Sequence, residues 1–165
     1  MEEDGRSKRE EGSLMATSPG GFPTVPSAVL PTVAPRILLA EDDDAMRALM
    51  QRALRAARYR VVPCPDGWRL LQYVTPYLLA ADVAPAERFD LVITDIRMPV
   101  LTGLEVLDGG REVEGFPPFI LITAFGDEEL RRHAERSGAV AWFEKPFDID
   151  SLLTDVRRIV PPVVS

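Results

Sequence analysis

Residues 36–44 read Arg36-Ile37-Leu38-Leu39-Ala40-Glu41-Asp42-Asp43-Asp44. A short apolar run passes without a spacer into four acids. Such a run, bounded by polar groups, fits a strand buried on both faces, as in a parallel sheet covered on each side. The pattern recurs. Phe89-Asp90-Leu91-Val92-Ile93-Thr94 ends in Asp95, Phe119-Ile120-Leu121-Ile122 ends in Thr123-Ala124, and Ala139-Val140-Ala141-Trp142-Phe143 ends just before Lys145. In open parallel sheets, ligand crevices lie outside the carboxyl ends of the strands. The spacing therefore predicts that Glu41, Asp42, Asp95, Thr123 and Lys145 converge at one edge of one sheet.

Helical spacing fills the gaps between these runs. Met46, Leu49, Met50, Ala53, Leu54 and Ala57 recur on one face, with Asp43 or Asp44 as the cap. A short strand is expected near Tyr59-Arg60-Val61-Val62. Asp66-Gly67 opens a second helix through Trp68, Leu71 and Val74, which Pro76 is expected to break or kink. Residues 76–88 read as an extended connection with a helical turn at Tyr77–Ala80. Met98-Pro99 marks a turn, and a third helix runs from about Leu104 to Asp108, stopped by Gly109-Gly110. Asp127 starts a polar helix ended by Gly138. Asp148 caps a last helix with apolar residues at Ile149, Leu152, Leu153, Val156, Ile159 and Val160, ended by Pro161-Pro162. Strict alternation of strand and helix predicts an α/β fold, a five-stranded parallel sheet, doubly wound.

The 165 residues suit one domain and a tail. Residues 1–34 are charged at first and then rich in proline and glycine, too poor in apolar surface to offset chain entropy. They are expected to be a disordered extension, and residues 35–162 the folded domain. A formal charge of −7 argues against sequence-independent nucleic-acid binding and suits a divalent cation or a protein partner. Cys64 is the single cysteine, so no intrachain disulfide forms, as befits a reducing compartment. The acidic start lacks the order of a signal peptide, and no apolar run approaches the ~20 residues of a membrane helix. The expectation is a cytoplasmic protein without membrane contact.

Lysine usage is unusual. The sequence holds seventeen Arg and two Lys, Lys8 in the leader and Lys145 in Trp142-Phe143-Glu144-Lys145-Pro146-Phe147. An ammonium is a compact point charge, whereas guanidinium is a broad planar fork. A tight cleft that must touch one oxygen of a small anion can demand Lys. Taken singly, each polar residue also has a plainer role. The acidic run suits a helix start, Asp95 and Thr123 suit caps, and Trp142 suits the core.

Together these motifs resemble the receiver domain of bacterial two-component response regulators, in particular the chemotaxis-regulator type. The matching stretches are Ile37–Asp43, Asp95-Ile96-Arg97-Met98-Pro99 with Gly103, Thr123-Ala124, and Lys145-Pro146-Phe147. The resemblance implies a flavodoxin-like fold with strand order 2-1-3-4-5. It implies that Asp95 accepts a phosphoryl group. Glu41, Asp42, Asp95 and the backbone carbonyl of Arg97 would hold Mg²⁺. Thr123 and Lys145 would contact the phosphoryl group, and Trp142 would be an aromatic switch. It implies as partners a sensor histidine kinase or histidine phosphotransfer protein, and a downstream effector protein or a homodimer. With no DNA-binding segment after the last helix, direct DNA binding is not expected.

The chemistry is consistent. Clustered carboxylates repel unless a cation intervenes, Mg²⁺ prefers oxygen ligands, and an ammonium offsets charge on transferring phosphoryl oxygens. Departures from the family pattern are Glu41 for a first Asp, and Trp142 for Tyr or Phe. Arg97 and Phe125 are expected to flank the path of attacking water and to set the lifetime of the acyl phosphate. Two alternatives stand beside this reading. A Mg²⁺-dependent phosphohydrolase of the haloacid dehalogenase type would want a second Asp two residues after Asp95, where Arg97 stands. A degenerate receiver acting only as an interaction module sits poorly with Asp95, Thr123 and Lys145. His133, the single histidine, is expected on the surface of the polar helix.

Overall fold

A computed structural model describes residues 33–163. The extension expected over residues 1–34 lies almost wholly outside the described residues. Five strands alternate with five helices: β1 Arg36–Ala40, α1 Asp44–Ala56, β2 Arg60–Cys64, α2 Gly67–Leu78, β3 Leu91–Asp95, α3 Gly103–Gly110, β4 Phe119–Thr123, α4 Glu128–Arg136, β5 Ala141–Glu144 and α5 Ile149–Ile159. All strand pairs are parallel, in the order β2-β1-β3-β4-β5. The doubly wound, flavodoxin-like sheet is thus as expected.

Side-chain alternation along the strands divides the core into two layers. Ile37, Leu39, Leu91, Ile93, Ile120 and Ile122 face one side, where they meet Met50 and Leu54 of α1 and Leu152, Leu153 and Val156 of α5. Leu38, Val92, Phe119 and Leu121 face the other, against Leu70 and Val74 of α2, Leu104 and Leu107 of α3, and Ala134 of α4. Both faces are covered, which is why the strands read as continuous apolar runs rather than alternating ones.

Every helix begins at the carboxyl edge of the sheet and carries a side-chain cap. Asp43, Asp66, Asp127 and Asp148 accept the amides of Met46, Arg69, Leu130 and Ser151, and Thr102 with Glu105 makes a capping box. Among the described residues no helix is long and apolar enough to cross a membrane.

Two breaker signals did not end their helices. Pro76 lies inside α2, only two residues before its end, where the turn that follows is closed by Leu79 N–H to Thr75 (3.0 Å) and Ala81 N–H to Pro76 (2.9 Å). The expected extended connection therefore starts later, and it contains a short 3-10 turn at Pro85–Glu87. Gly109 and Gly110 are the last residues of α3 rather than its stop. Gly110 is required by packing, since a Cβ there would lie 2.2 Å from the Phe116 ring, itself stacked on Phe119 at 5.4 Å. Gly109 faces open space. The pair should respond oppositely in urea unfolding. Gly109→Ala gains about 0.5–1 kcal/mol from helix propensity, whereas Gly110→Ala loses about 1–3 kcal/mol from overpacking.

Candidate active site

The carboxyl ends of β1, β3 and β4, and the residue after β5, deliver the site. Glu41 follows β1 directly. Its N–H donates to the carbonyl of Cys64 (3.1 Å), which carries the β1–β2 ladder one residue past the strand. Its side chain is fully buried. Oε1 accepts the Asp43 amide at 3.0 Å, and Oε2 accepts Lys145 Nζ at 2.8 Å. Asp95 ends β3 and is 5% exposed. Its Oδ1 accepts the Arg97 amide at 3.0 Å, and its Oδ2 accepts the same Lys145 Nζ at 2.6 Å.

Lys145 is held in turn by its backbone. Its N–H donates to the Thr123 carbonyl at 2.8 Å, one step beyond the paired residues of β4 and β5. The side chain then reaches across β4 to β3 and β1. Thr123 is fully buried, and its hydroxyl oxygen accepts the Phe125 amide at 3.2 Å, which leaves its proton free to be donated elsewhere. Asp42 is solvent exposed. Glu41, Asp42 and Asp95 each offer a carboxylate oxygen, and these oxygens lie within 4.8 Å of one another.

The electrostatics follow from burial. Desolvation pushes the Glu41 carboxyl up from 4.5, against the opposing pull of the Lys145 and Asp43 hydrogen bonds, and the Asp95 charge adds to the rise. Desolvation would lower the Lys145 ammonium, but its hydrogen bonds to Asp95 and Glu41 outweigh it and hold the ammonium above 10.5. Three carboxylates around one ammonium leave two formal negative charges, and the donors are all oxygen. That set fits a small hard divalent cation such as Mg²⁺. Glu41, Asp42 and Asp95 would hold it. When bound, it would offset the charge of the carboxylates and of an incoming phosphoryl group.

The remaining expected residues are placed as follows. Arg97 lies beside the site, with its amide on Asp95 and its guanidinium 5.2 Å from the centre of the Phe125 ring. The two residues expected to flank the water path thus meet each other in a cation–π contact. Trp142 is partly buried against the α2–α3–α4 layer, and its Nε1 donates to Glu144 at 3.3 Å. Gly126 backs onto this pair. A Cβ there would lie 2.7 Å from Glu144 Oε1 and 2.9 Å from the indole. Sequence reasoning passed over Gly126, although a glycine next to a helix cap in a site loop was a usable signal. It also passed over Thr94, whose hydroxyl donates to the Asp95 carbonyl at 2.9 Å and pins the strand end. His133 lies away from the site, but it is not a simple surface group, because its Nε2 meets Asp108 at 2.9 Å.

Comparison with known proteins places these features. A family model for the response regulator receiver domain matches residues 37–157. Sporulation initiation phosphotransferase F of Bacillus subtilis is 28% identical over 126 residues, covering 76% of this chain and 94% of that protein. The C4-dicarboxylate transport transcriptional regulatory protein DctD of Pseudomonas aeruginosa is 36% identical over 124 residues, covering 74% of this chain but only 24% of that protein. Among solved structures, the chemotaxis protein CheY4 of Vibrio cholerae is 28% identical with a TM-score of 0.63, covering 76% of this chain and 98% of that one. The HemR receiver domain of Leptospira biflexa is 26% identical with a TM-score of 0.64, covering 79% and 98%. The acidic cluster has the geometry of a receiver Mg²⁺ site and is suited to Mg²⁺-assisted phosphoryl transfer as in two-component signalling.

The raised Glu41 carboxyl has a measurable consequence. Below 4.5 the group is protonated whether the chain is folded or not. As pH rises from there through its higher folded value, the unfolded chain ionises first and the metal-free fold loses stability. Mg²⁺ binds the ionised form. The rise in melting temperature on adding Mg²⁺ should therefore grow from pH 4.5 to pH 7, and Asp42→Ala should weaken Mg²⁺ binding roughly ten- to a hundredfold. Thermal scans at several pH values and Mg²⁺ titrations check both. A pH-independent Mg²⁺ effect would contradict the placement of Glu41 in the metal site.

Proposed function

This chain belongs to the response regulator receiver domain family, and from that premise we propose that Asp95 is its phosphoacceptor, with Thr123 and Lys145 acting on the bound phosphoryl group. The observation that carries the reading is the 2.6 Å contact between Lys145 Nζ and Asp95 Oδ2. Lys145, the one lysine among the described residues, pairs with both Asp95, at the end of the central strand β3, and Glu41, and these two carboxylates belong to the metal cluster.

The reaction balances simply. A carboxylate oxygen of Asp95 attacks the phosphorus of a donor phosphohistidine. The P–N bond breaks, and the imidazole nitrogen leaves with the electron pair and takes up a proton. Asp95 becomes an acyl phosphate. Lys145 then exchanges carboxylate for phosphoryl oxygen, and its compact ammonium does so without displacing the cleft walls. Thr123 donates its free hydroxyl proton to another oxygen. Glu41, Asp42, Asp95 and the Arg97 carbonyl would hold the metal, which would offset charge on the phosphoryl oxygens, and the contact between Arg97 and Phe125 restricts water. The protein's own catalysis is confined to gaining and losing this group.

The donor is a histidine kinase or a histidine phosphotransfer protein, since the single histidine here lies away from the site. The output is binding to an effector protein or to a second copy, in the cytoplasm and without direct DNA contact. The face formed by α4, β5 and α5 suits it. There Arg131, Arg132 and Arg158 make only exposed pairs within their own helices, at 3.4, 3.2 and 3.4 Å. Such pairs are weak and can be exchanged for a partner's carboxylates.

Incubation with acetyl phosphate and Mg²⁺ should add one acid-stable, base-labile phosphoryl group, read by intact mass. Asp95→Asn should abolish it, Lys145→Arg should slow it about a hundredfold, and Phe125→Ala should shorten its lifetime. Equal labelling of the Asn variant would overturn the assignment.

The relay to the output face has a built-in probe. Thr123 drawn toward Asp95 moves the loop containing Gly126, which lies against Trp142. In a Trp68→Phe background, Trp142 fluorescence should change on phosphorylation. A constant signal, together with unchanged amide exchange over residues 124–145, would rule out this route.

A further inference from the structure

The fourth helix is weakly anchored by apolar contact. Of Glu128–Arg136, only Ala134 is buried, and Leu130 is partly so. A polar contact adds to that anchor. Asp108, near the end of α3, accepts His133 Nε2 on Oδ2 at 2.9 Å and the Ser137 hydroxyl on Oδ1. His133 and Ser137 are one turn apart, so both point to the same face, and one carboxylate spans them. Ser137 is 2% exposed, the Asp108 side chain 34% and the His133 side chain 46%. The contact is therefore better shielded from water than the other ion pairs of α4, whose side chains are all more than half exposed.

We propose that Asp108 latches α4 to α3 in the unphosphorylated protein, and that protonation of His133 tightens the latch, so that acid opposes activation. Neutral imidazole with its proton on Nε2 already donates to Asp108. Imidazolium adds charge attraction to the same hydrogen bond. The other charged groups around His133 are Arg111 and Glu112 beyond Asp108, Asp127 at the helix cap, and Glu129 and Arg136 on α4 itself. They are of both signs, and the directly bonded carboxylate is Asp108. The helix it restrains leads out of the loop that starts at Thr123. By linkage, whatever stabilises the latched position opposes movement of that loop, and phosphorylation loosens the latch. The opposition to activation rests on the reading above, that phosphorylation of Asp95 is relayed through Thr123 into α4. The latch itself does not.

The test is amide exchange in the unphosphorylated full chain from pH 5.5 to 7.5. Each rate is divided by the intrinsic rate at that pH, and residues 131–137 are compared with α5 as an internal reference. Asp108→Ala should lower the relative protection of α4 about tenfold at every pH, the loss expected for a hydrogen bond to a charged group. In the parent, protection should rise about two- to fivefold as pH falls, in keeping with a partly exposed pair. Asp108→Asn and His133→Gln keep hydrogen-bonding groups but should abolish the pH dependence. Unchanged α4 protection in Asp108→Ala, or a persistent pH dependence in His133→Gln, would overturn the latch. Should Asp108→Ala unfold α5 as well, the Asn and Gln variants still decide the matter. A second arm adds beryllofluoride and Mg²⁺ and follows the single imidazole proton resonance, which should shift as the latch opens in the parent but should stay put in Asp95→Asn. Normal latch behaviour without any beryllofluoride response would sink the relay from Asp95 into α4 and leave the latch standing. The converse pattern would sink the latch alone.

Discussion

One ammonium group between two buried carboxylates holds the functional edge of this molecule together. Glu41 has no solvent exposure and Asp95 almost none, yet both lie at strand ends too close for two uncompensated charges. Lys145 supplies the compensation at 2.8 and 2.6 Å. Burying charge is costly unless it is paired and hydrogen-bonded. Here each carboxylate also accepts a backbone amide, from Asp43 and from Arg97. The loops after β1 and β3 are therefore shaped partly by the need to point an N–H back at the preceding acid. The pairing remains incomplete. Asp42 adds a third carboxylate, and the excess negative charge makes a cation the natural ligand.

The fold puts this arrangement in a favourable field. All five helices begin at the carboxyl edge of the sheet, and helix N-termini carry partial positive charge. Aspartate caps on four of them offset part of it. An edge with capped helix ends, an ammonium and room for a metal is suited to an incoming dianion. The two layers of core differ in what they allow. On one side α1 and α5 are fixed by Met50, Leu54, Leu152, Leu153 and Val156. On the other, α4 is fixed by Ala134 and a polar contact. Of the helices on that side, α4 has the fewest buried apolar anchors.

Much of this was legible in the sequence because it depends on local rules. The runs from Arg36 and Phe119 read as buried strands, since a half-exposed strand alternates apolar with polar residues. Asp43, Asp66, Asp127 and Asp148 announced helix starts through the geometry of a carboxylate on an amide. Strand ends located the site, because a parallel sheet gathers them at one edge. What escaped was set by distant partners. Gly110 reads as a helix stop until Phe116 is seen against it. Pro76 reads as a break until its position two residues from the helix end shows how little it interrupts. His133 reads as a surface group because its partner, Asp108, lies 25 residues earlier on another helix. No local pattern couples those two positions.

Lys145 has a further consequence, which concerns covalent chemistry. Among residues 33–163 it is the sole primary amine, since the chain's other lysine is Lys8. Acyl transfer to an amine within the folded domain thus has one address, and that address is the counter-ion of the site. Acylation there would remove the positive charge and leave Glu41 and Asp95 facing each other unneutralised. Every other basic side chain among residues 33–163 is arginine or histidine, so a lysine-directed acyl donor would report on this one site.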